Sequence, residues 1–301
     1  MLELWIPITI AAAGIQSVRT ALQKHLLGSL PNAFVNLARY AFGAPIAVGV
    51  FLAWVWLAAA DVPNVTLTLI FWCTIIALTQ ILGTWGLIAA FATRNLAVAV
   101  TFSKTEALQT ALLSTLILGE QLALVGWLAI LLSVLGIVVL TIPPSGTTRF
   151  SSPTALKGAA YGLFAGAMFG LSATAIRTAS IGLGDHDFLT KSLLVLAITT
   201  SLQLVLLGGL LVWKDRAGFG PFFQCWRMNL AIGVASVSAS AGWFTAMTLQ
   251  KSAYVQALGQ IELVFSIIVT RLAFRDPLTR WEVGGIALFI IGIGIVLLSR
   301  T

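Results

Sequence analysis

Apolar segments about twenty residues long follow one another along almost the whole chain, separated only by short turn-forming or charged breaks. A helix that crosses the hydrocarbon core of a bilayer needs about 20 predominantly apolar residues. Ten segments reach that length: 4–22, 32–58, 65–91, 97–118, 122–142, 156–180, 188–212, 228–249, 252–274 and 280–299. Lipid offers no hydrogen-bond partner to bare backbone, so segments this long must be helical. The expected fold is therefore all-α, a polytopic membrane protein of ten transmembrane helices. Composition agrees, with 59% apolar and 9% charged residues, against about 25% charged in an ordinary soluble domain. So little charge cannot cover a water-facing surface of this size.

The same features exclude several function classes. The net charge of +7 is spread singly over short loops, with no basic run to bind nucleic acid. Cys73 and Cys225 form no spaced pair, so neither a disulfide framework nor a cysteine-based metal site is expected. His25 and His186 are single loop-edge histidines without partners at metal-ligand spacing. There is no phosphate-binding loop, no nucleophile–base pair and no connection long enough to house an enzyme domain. No cofactor and no enzymatic activity are expected. Glu3 stands where a signal peptide would carry basic residues, so the first apolar segment is expected to be retained as a span.

The longest polar connection, Pro143-Pro144-Ser145-Gly146-Thr147-Thr148-Arg149, divides the chain into halves 1–145 and 146–301 with five spans each. A shift of 156 residues places Gly14 on Gly170, Gly86 on Gly242, Glu106 on Glu262 and Glu120 on Asp276. Glycines coincide by chance in such sequences. Two acidic pairs at one shift, in a chain with ten acidic residues, are harder to obtain that way. An odd number of spans per copy turns the second copy over in the membrane. The expected architecture is thus two inverted five-helix repeats, an arrangement whose sites lie near the midplane.

Glu106 and Glu262 are the most informative positions. Each falls mid-segment, about 15 Å from either end at 1.5 Å per residue. A charged side chain at that depth costs roughly 2.5–3.5 kcal/mol even on lenient insertion scales. It must face protein, water or a ligand, or carry a proton. Two readings are open: an internal ion pair with Lys104 or Arg39 that locks helices together, or a site for a cationic group or a proton. In the second reading Glu106 and Glu262 are also the proton-coupling candidates. Phe102, Ser103, Glu106, Gln109 and Thr110 share one stripe at helical spacing, whereas Lys104 and Gln260 precede each glutamate by two residues. The second span carries Asn32, Asn36, Arg39, Tyr40 and Gly43 on one face, with Arg39 either snorkelling or offering a planar fork to an anion. Gln80 and Thr84 correspond to Ser236 and Ser240 at the same shift. Trp85, Trp243 and Phe244 are aromatic candidates for a pocket wall, though most tryptophans in such a chain anchor at the interfaces. Gly162, Gly166 and Gly170 read as a close-packing stripe, and Arg177 and Lys191 as snorkelling cations.

Three short motifs resemble a known family. They are Pro31 to Arg39-Tyr40 opening the second span, Gly119-Glu120 followed by Gly126 and Gly136, and Arg275-Asp276 followed by Gly284, Gly285 and Gly294. In these the chain resembles the drug/metabolite transporter superfamily, in its ten-span EamA-type branch. Members commonly place a proline inside spans four and nine, where this chain has Ser103-Lys104-Thr105-Glu106 and Gly259-Gln260-Ile261-Glu262. The resemblance implies both termini in the cytoplasm. The cations argue otherwise: ten follow odd-numbered spans against four on the other side, which puts the termini outside.

The expected function is secondary transport of a small organic solute, amino-acid-like or amphiphilic, across a bacterial cell inner membrane by alternating access. Its substrate-binding candidates are Glu106, Glu262, Arg39, Tyr40, Lys104, Gln260, Gln80, Trp243 and Ser103. Partners are the solute, membrane lipid, and protons or a counter-substrate, with no nucleic acid. A carrier of cationic drugs or quaternary amines, and a non-transporting structural or lipid-handling protein, are the alternatives.

Overall fold

The computed structural model describes residues 3–27, 29–91, 101–141, 153–265 and 280–298. Parts of the expected spans 97–118 and 252–274, the 143–149 connection and the Arg275-Asp276 motif lie outside the described residues. Among the described residues every regular element is helical. In chain order these are α1 (Trp5–Leu26), α2 (Asn32–Ala41), α3 (Gly43–Ala58), α4 (Leu67–Phe91), α5 (Glu106–Leu118), α6 (Leu124–Thr141) and α7 (Pro153–Ile181). They continue with α8 (Phe188–Gln203), a π-helical turn Leu204–Gly208, α9 (Gly209–Lys214), a 3-10 turn Arg216–Gly218, α10 (Phe219–Gln224), α11 (Trp226–Leu249), α12 (Ser252–Gly259) and α13 (Arg280–Leu298).

Among the described residues, five stretches are long and apolar enough to cross a membrane: Asn32–Ala58, Leu67–Leu87, Leu156–Ile181, Phe188–Lys214 and Trp226–Leu249. Leu124–Leu140 and Val283–Leu298 are shorter apolar helices. What these helices expose is as telling as their length. Trp56, Leu67, Trp213, Leu116 and Leu298 are each at least 78% exposed, whereas Thr9, Ser133, Thr174, Thr190 and Asn229 are fully buried. A water-soluble protein keeps its buried polar groups few and its large apolar patches covered. This outward apolar surface is that of an integral membrane protein. Three of these buried hydroxyls are satisfied within their own helices. Thr9 donates to the Trp5 carbonyl at 2.6 Å, Ser133 to Ala129 at 2.9 Å and Thr174 to Gly170 at 3.0 Å, each four residues back along its own helix.

The helices gather into two compact units, and each unit draws on both halves of the sequence. One comprises residues 1–81 and 175–250, the other 82–174 and 251–301. In the first, α1 and α2 pack on α11, and α3 packs on α8. Its core centres on Phe34 with Leu37, Leu207, Phe222 and Ile232. Phe34 meets Phe219 edge-on at 5.2 Å between ring centroids, and Gly218 lies so close beneath that ring that any Cβ would overlap it.

In the second unit α6 pairs with α13, and α12 packs on α5 and α6. The α6–α13 pair meets backbone to backbone. A Cβ on Gly136 would stand 2.5 Å from the Phe289 amide nitrogen and 2.8 Å from the Gly285 carbonyl oxygen. Small residues at such a crossing let dispersion and backbone contact replace the hydrophobic drive that lipid does not supply. Gly119 ends α5 in the left-handed region at φ 65°, which only glycine adopts without cost.

The second expected span is a helix with a kink. Pro45 has no amide hydrogen and its ring crowds the carbonyl four residues back, at Ala41. The helix breaks there, at Phe42.

Replacing Gly136 with Leu should destabilise the detergent-solubilised protein by about 1–3 kcal/mol through overpacking, read as a lower Tm. Gly284→Leu is the control, because nothing lies within 4 Å of a Cβ built there, and it should leave Tm nearly unchanged.

Candidate functional site

Both glutamates stand at helix breaks, which corrects the expectation of continuous helices through them. On the first segment the helical turn at 101–103 stops, Lys104 and Thr105 form a turn, and α5 starts at Glu106 itself. The Phe102 carbonyl accepts from the Thr105 amide at 3.3 Å and from its hydroxyl at 2.7 Å. Gln109 Nε2 reaches back to the Thr105 hydroxyl at 2.8 Å. On the second segment α12 ends at Gly259, the Gln260 amide bonds Ala257 three residues back at 3.3 Å, and helix resumes at Ile261. The Leu263 amide bonds the Gln260 carbonyl, again three residues back, at 3.0 Å. The stripe from Phe102 to Thr110 is consequently not one helix face. Ser103, 5% exposed, and Glu106 sit on opposite sides of the turn.

These breaks bring the expected residues together within the second unit. Gln256 hydrogen-bonds the Glu106 side chain, and Lys104 and Glu262 lie within electrostatic reach of it. Glu106, Glu262 and Lys104 are half-buried, while Gln260 is 3% exposed. Oε1 of Gln260 has no hydrogen-bond partner among the described residues. Glycines of α7 let its backbone ride against the break. A Cβ on Gly166 would lie 3.0 Å from the Ser103 carbonyl oxygen, and one on Gly170 3.1 Å from the Thr110 hydroxyl. A mixed-charge cluster with an unsatisfied amide oxygen can bind a cationic or hydrogen-bond-donating group and exchange a proton at a carboxylate.

Arg39 and Tyr40 belong to the first unit, where they line a separate polar cavity. Arg39 is 9% exposed and Tyr40 2% exposed, and the guanidinium lies 5.2 Å from the Tyr40 ring centroid. Arg39 Nη1 also faces Asn36 Oδ1 at 3.5 Å. The kink at Phe42 and the close approach of Gly43 to Gly233, where a Cβ on Gly43 would stand 3.6 Å from the Gly233 carbonyl oxygen, bring α11 against this face. Thr200 and Gln203 of α8 and Ser236 and Ser240 of α11 complete the wall. Gln203 donates to Gln80 Oε1 at 2.9 Å, and the π-helical turn begins at the very next residue. A π turn inserts one extra residue and re-aims the side chains beside it, and such turns recur at functional sites. Thr200 donates to its own helix, at Leu196. The Tyr40 and Ser236 hydroxyls have no partner among the described residues. A buried polar group left so costs about 1–3 kcal/mol, which calls for an occupant.

The remaining candidates lie outside these two groups of residues. Trp243 Nε1 donates to Gln16 Oε1 at 3.0 Å, and Phe244 is 1% exposed. Trp85 is 56% exposed and stacks edge-on with Tyr161 at 5.9 Å. Arg177 does not snorkel. It donates to the Met247 and Thr248 carbonyls at 3.1 and 3.3 Å, closing the C-terminal end of α11. Gln203, Thr200 and Gln256 were not anticipated. Their signal was present as Thr199, Thr200, Ser201 and Gln203 clustered inside an apolar segment, and as Gln256 six residues before Glu262.

No protein-family model matches the sequence, and no curated protein matches it. A protein of known crystal structure shares the fold, with a TM-score of 0.73 at 16% identity over 100% of both chains. The likeness is one of architecture.

Changing either partner of the Gln80–Gln203 bond to Leu should lower stability, and the double variant should recover part of the loss. A double-mutant cycle on Tm in detergent should return a coupling of about 0.6 kcal/mol, the usual size for hydrogen bonds between membrane helices.

Proposed function

We propose that this protein is a secondary transporter of a small organic solute, amino-acid-like or amphiphilic, working by alternating access. In this reading the chain carries ten spans as two inverted five-helix repeats, belongs to the EamA-type drug/metabolite transporters it resembles, and works in a bacterial inner membrane as a carrier rather than an enzyme. The observation that carries the reading is the paired helix break. Two glutamates 156 residues apart each follow a turn inside an apolar helix. Helices interrupted in corresponding places of two repeats are how secondary carriers expose backbone and polar side chains to cargo at the midplane. A structural strut needs no such break, since unbroken helix is the least costly backbone in lipid.

Glu106 and Glu262 are then the groups that meet a cationic part of the solute or a coupling proton. Lys104, Gln256, Gln260 and Ser103 set their field and hydrogen bonding. The mixed charge favours a zwitterionic or amphiphilic solute. A quaternary amine, which needs carboxylates and no acceptor for hydrogen bonds, is the competing cargo.

Purified protein in liposomes should show saturable flux for at least one class in a panel of amino acids, organic cations and neutral metabolites. Glu106→Gln and Glu262→Gln should each cut that flux at least about tenfold or abolish its pH dependence, with yield and Tm unchanged. Flux and pH response equal to the unsubstituted protein in both variants would remove the site assignment. An intact protein inert to every class would remove the transport reading.

A further inference from the structure

We infer that the cavity beneath α2 in the first unit is a hydration site, holding one water molecule that ties α2, α8 and α11 together. The cavity measures about 10 Å³, close to the space that a single water requires. Size alone decides little, because a cavity lined by apolar groups stays dry. This wall is polar: Tyr40 comes from α2, Thr200 and Gln203 from α8, and Ser236 and Ser240 from α11. Two of its hydroxyls are deeply buried, Tyr40 at 2% exposed and Ser236 at 3%. Neither has a hydrogen-bond partner among the described residues. Burying a hydroxyl without a partner forfeits the hydrogen bonds it made to water. Two such losses around one small cavity have a common remedy in one trapped water.

The groups of the wall fix how that water is held. Thr200 has turned its hydroxyl hydrogen onto the Leu196 carbonyl at 2.8 Å, which leaves its oxygen to accept. Tyr40 and Ser236 still have theirs to give. The water therefore accepts from Tyr40 and Ser236 and donates to Thr200, and three bonds are what a buried water typically makes. Gln203 and Gln80 join α8 to α4 directly, side chain to side chain, at 2.9 Å. The water does the same for α2 and α11, whose two hydroxyls make no bond to each other. The site stands independently of the transport reading.

Melting of the purified full-length protein in detergent, followed by intrinsic tryptophan fluorescence, separates a wet cavity from a dry one by the sign of the change. Around a bound water, Tyr40→Phe and Ser236→Ala each remove one of its bonds and should lower Tm by about 2 °C. The double variant should lose less than the sum, because the first deletion already loosens the shared water. In a dry cavity each substitution removes an unsatisfied buried hydroxyl and raises Tm instead. A raised Tm in either single variant, or losses that simply add, would overturn the inference. Should a variant fail to fold, radiolytic labelling of the unsubstituted protein decides. Brief X-ray pulses oxidise side chains that hold water against them. Tyr40 should be labelled, while Phe34, equally sealed from bulk solvent at 0% exposed, stays unmodified. Tyr40 as inert as Phe34 would show the cavity dry and sink the proposal.

Discussion

Backbone in hydrocarbon has no water to fall back on, and that constraint organises everything else in this protein. It forces helix wherever the chain meets lipid, turns apolar side chains outward, and makes hydroxyls bond their own preceding turn. Against it, an interruption inside an apolar helix is expensive and survives only where something compensates. The turns at Lys104-Thr105 and at Gln260 are interruptions of that kind. Each is followed within two residues by a glutamate whose charge lipid would not tolerate. The Thr105 hydroxyl bonds the Phe102 carbonyl, Gln109 bonds that hydroxyl, and Gln256 bonds the Glu106 side chain. Backbone break and acidic side chain thus go together: the break opens a polar environment in which the glutamate is accommodated.

The first unit reaches polarity by another route. Its helices are kinked and locally widened. Pro45 kinks one at Phe42, and a π turn after Gln203 shifts the register of another. Both distortions aim polar side chains at a cavity of single-atom size while leaving outward faces apolar. Glycines do the complementary work of bringing helices close enough to close such spaces, as Gly43 and Gly233 do here and Gly136 and Gly285 do at the α6–α13 crossing.

How far the sequence could be read follows from which interactions are local. Segment lengths and breaks anticipated the helical class and most helix bounds among the described residues, because hydropathy acts residue by residue. Glu106, Glu262 and Arg39 were visible for the same reason: a charge inside an apolar run is conspicuous by itself. The helix breaks were not visible. Lys104, Thr105 and Gln260 are neither proline nor glycine, and their turns depend on partners such as Gln109 and Ala257 that propensity does not report. Gln203 was lost among neighbouring threonines, and its importance comes from Gln80, more than a hundred residues earlier. Arg177 was misjudged as a snorkelling cation because its acceptors, the Met247 and Thr248 carbonyls, belong to a helix end that only the fold brings near.

The central claim is that the interrupted helices make a wet, solute-facing surface at the two glutamates. Cysteine accessibility tests it most directly. In a background with Cys73 and Cys225 replaced by Ser, single cysteines at Ser103 and Gln260 are challenged in proteoliposomes with a membrane-impermeant thiosulfonate. The account predicts modification at both positions, at rates that solute changes, alongside an unreactive lipid-facing control at Leu116. Positions 103 and 260 as inert as 116, with and without solute, would contradict it.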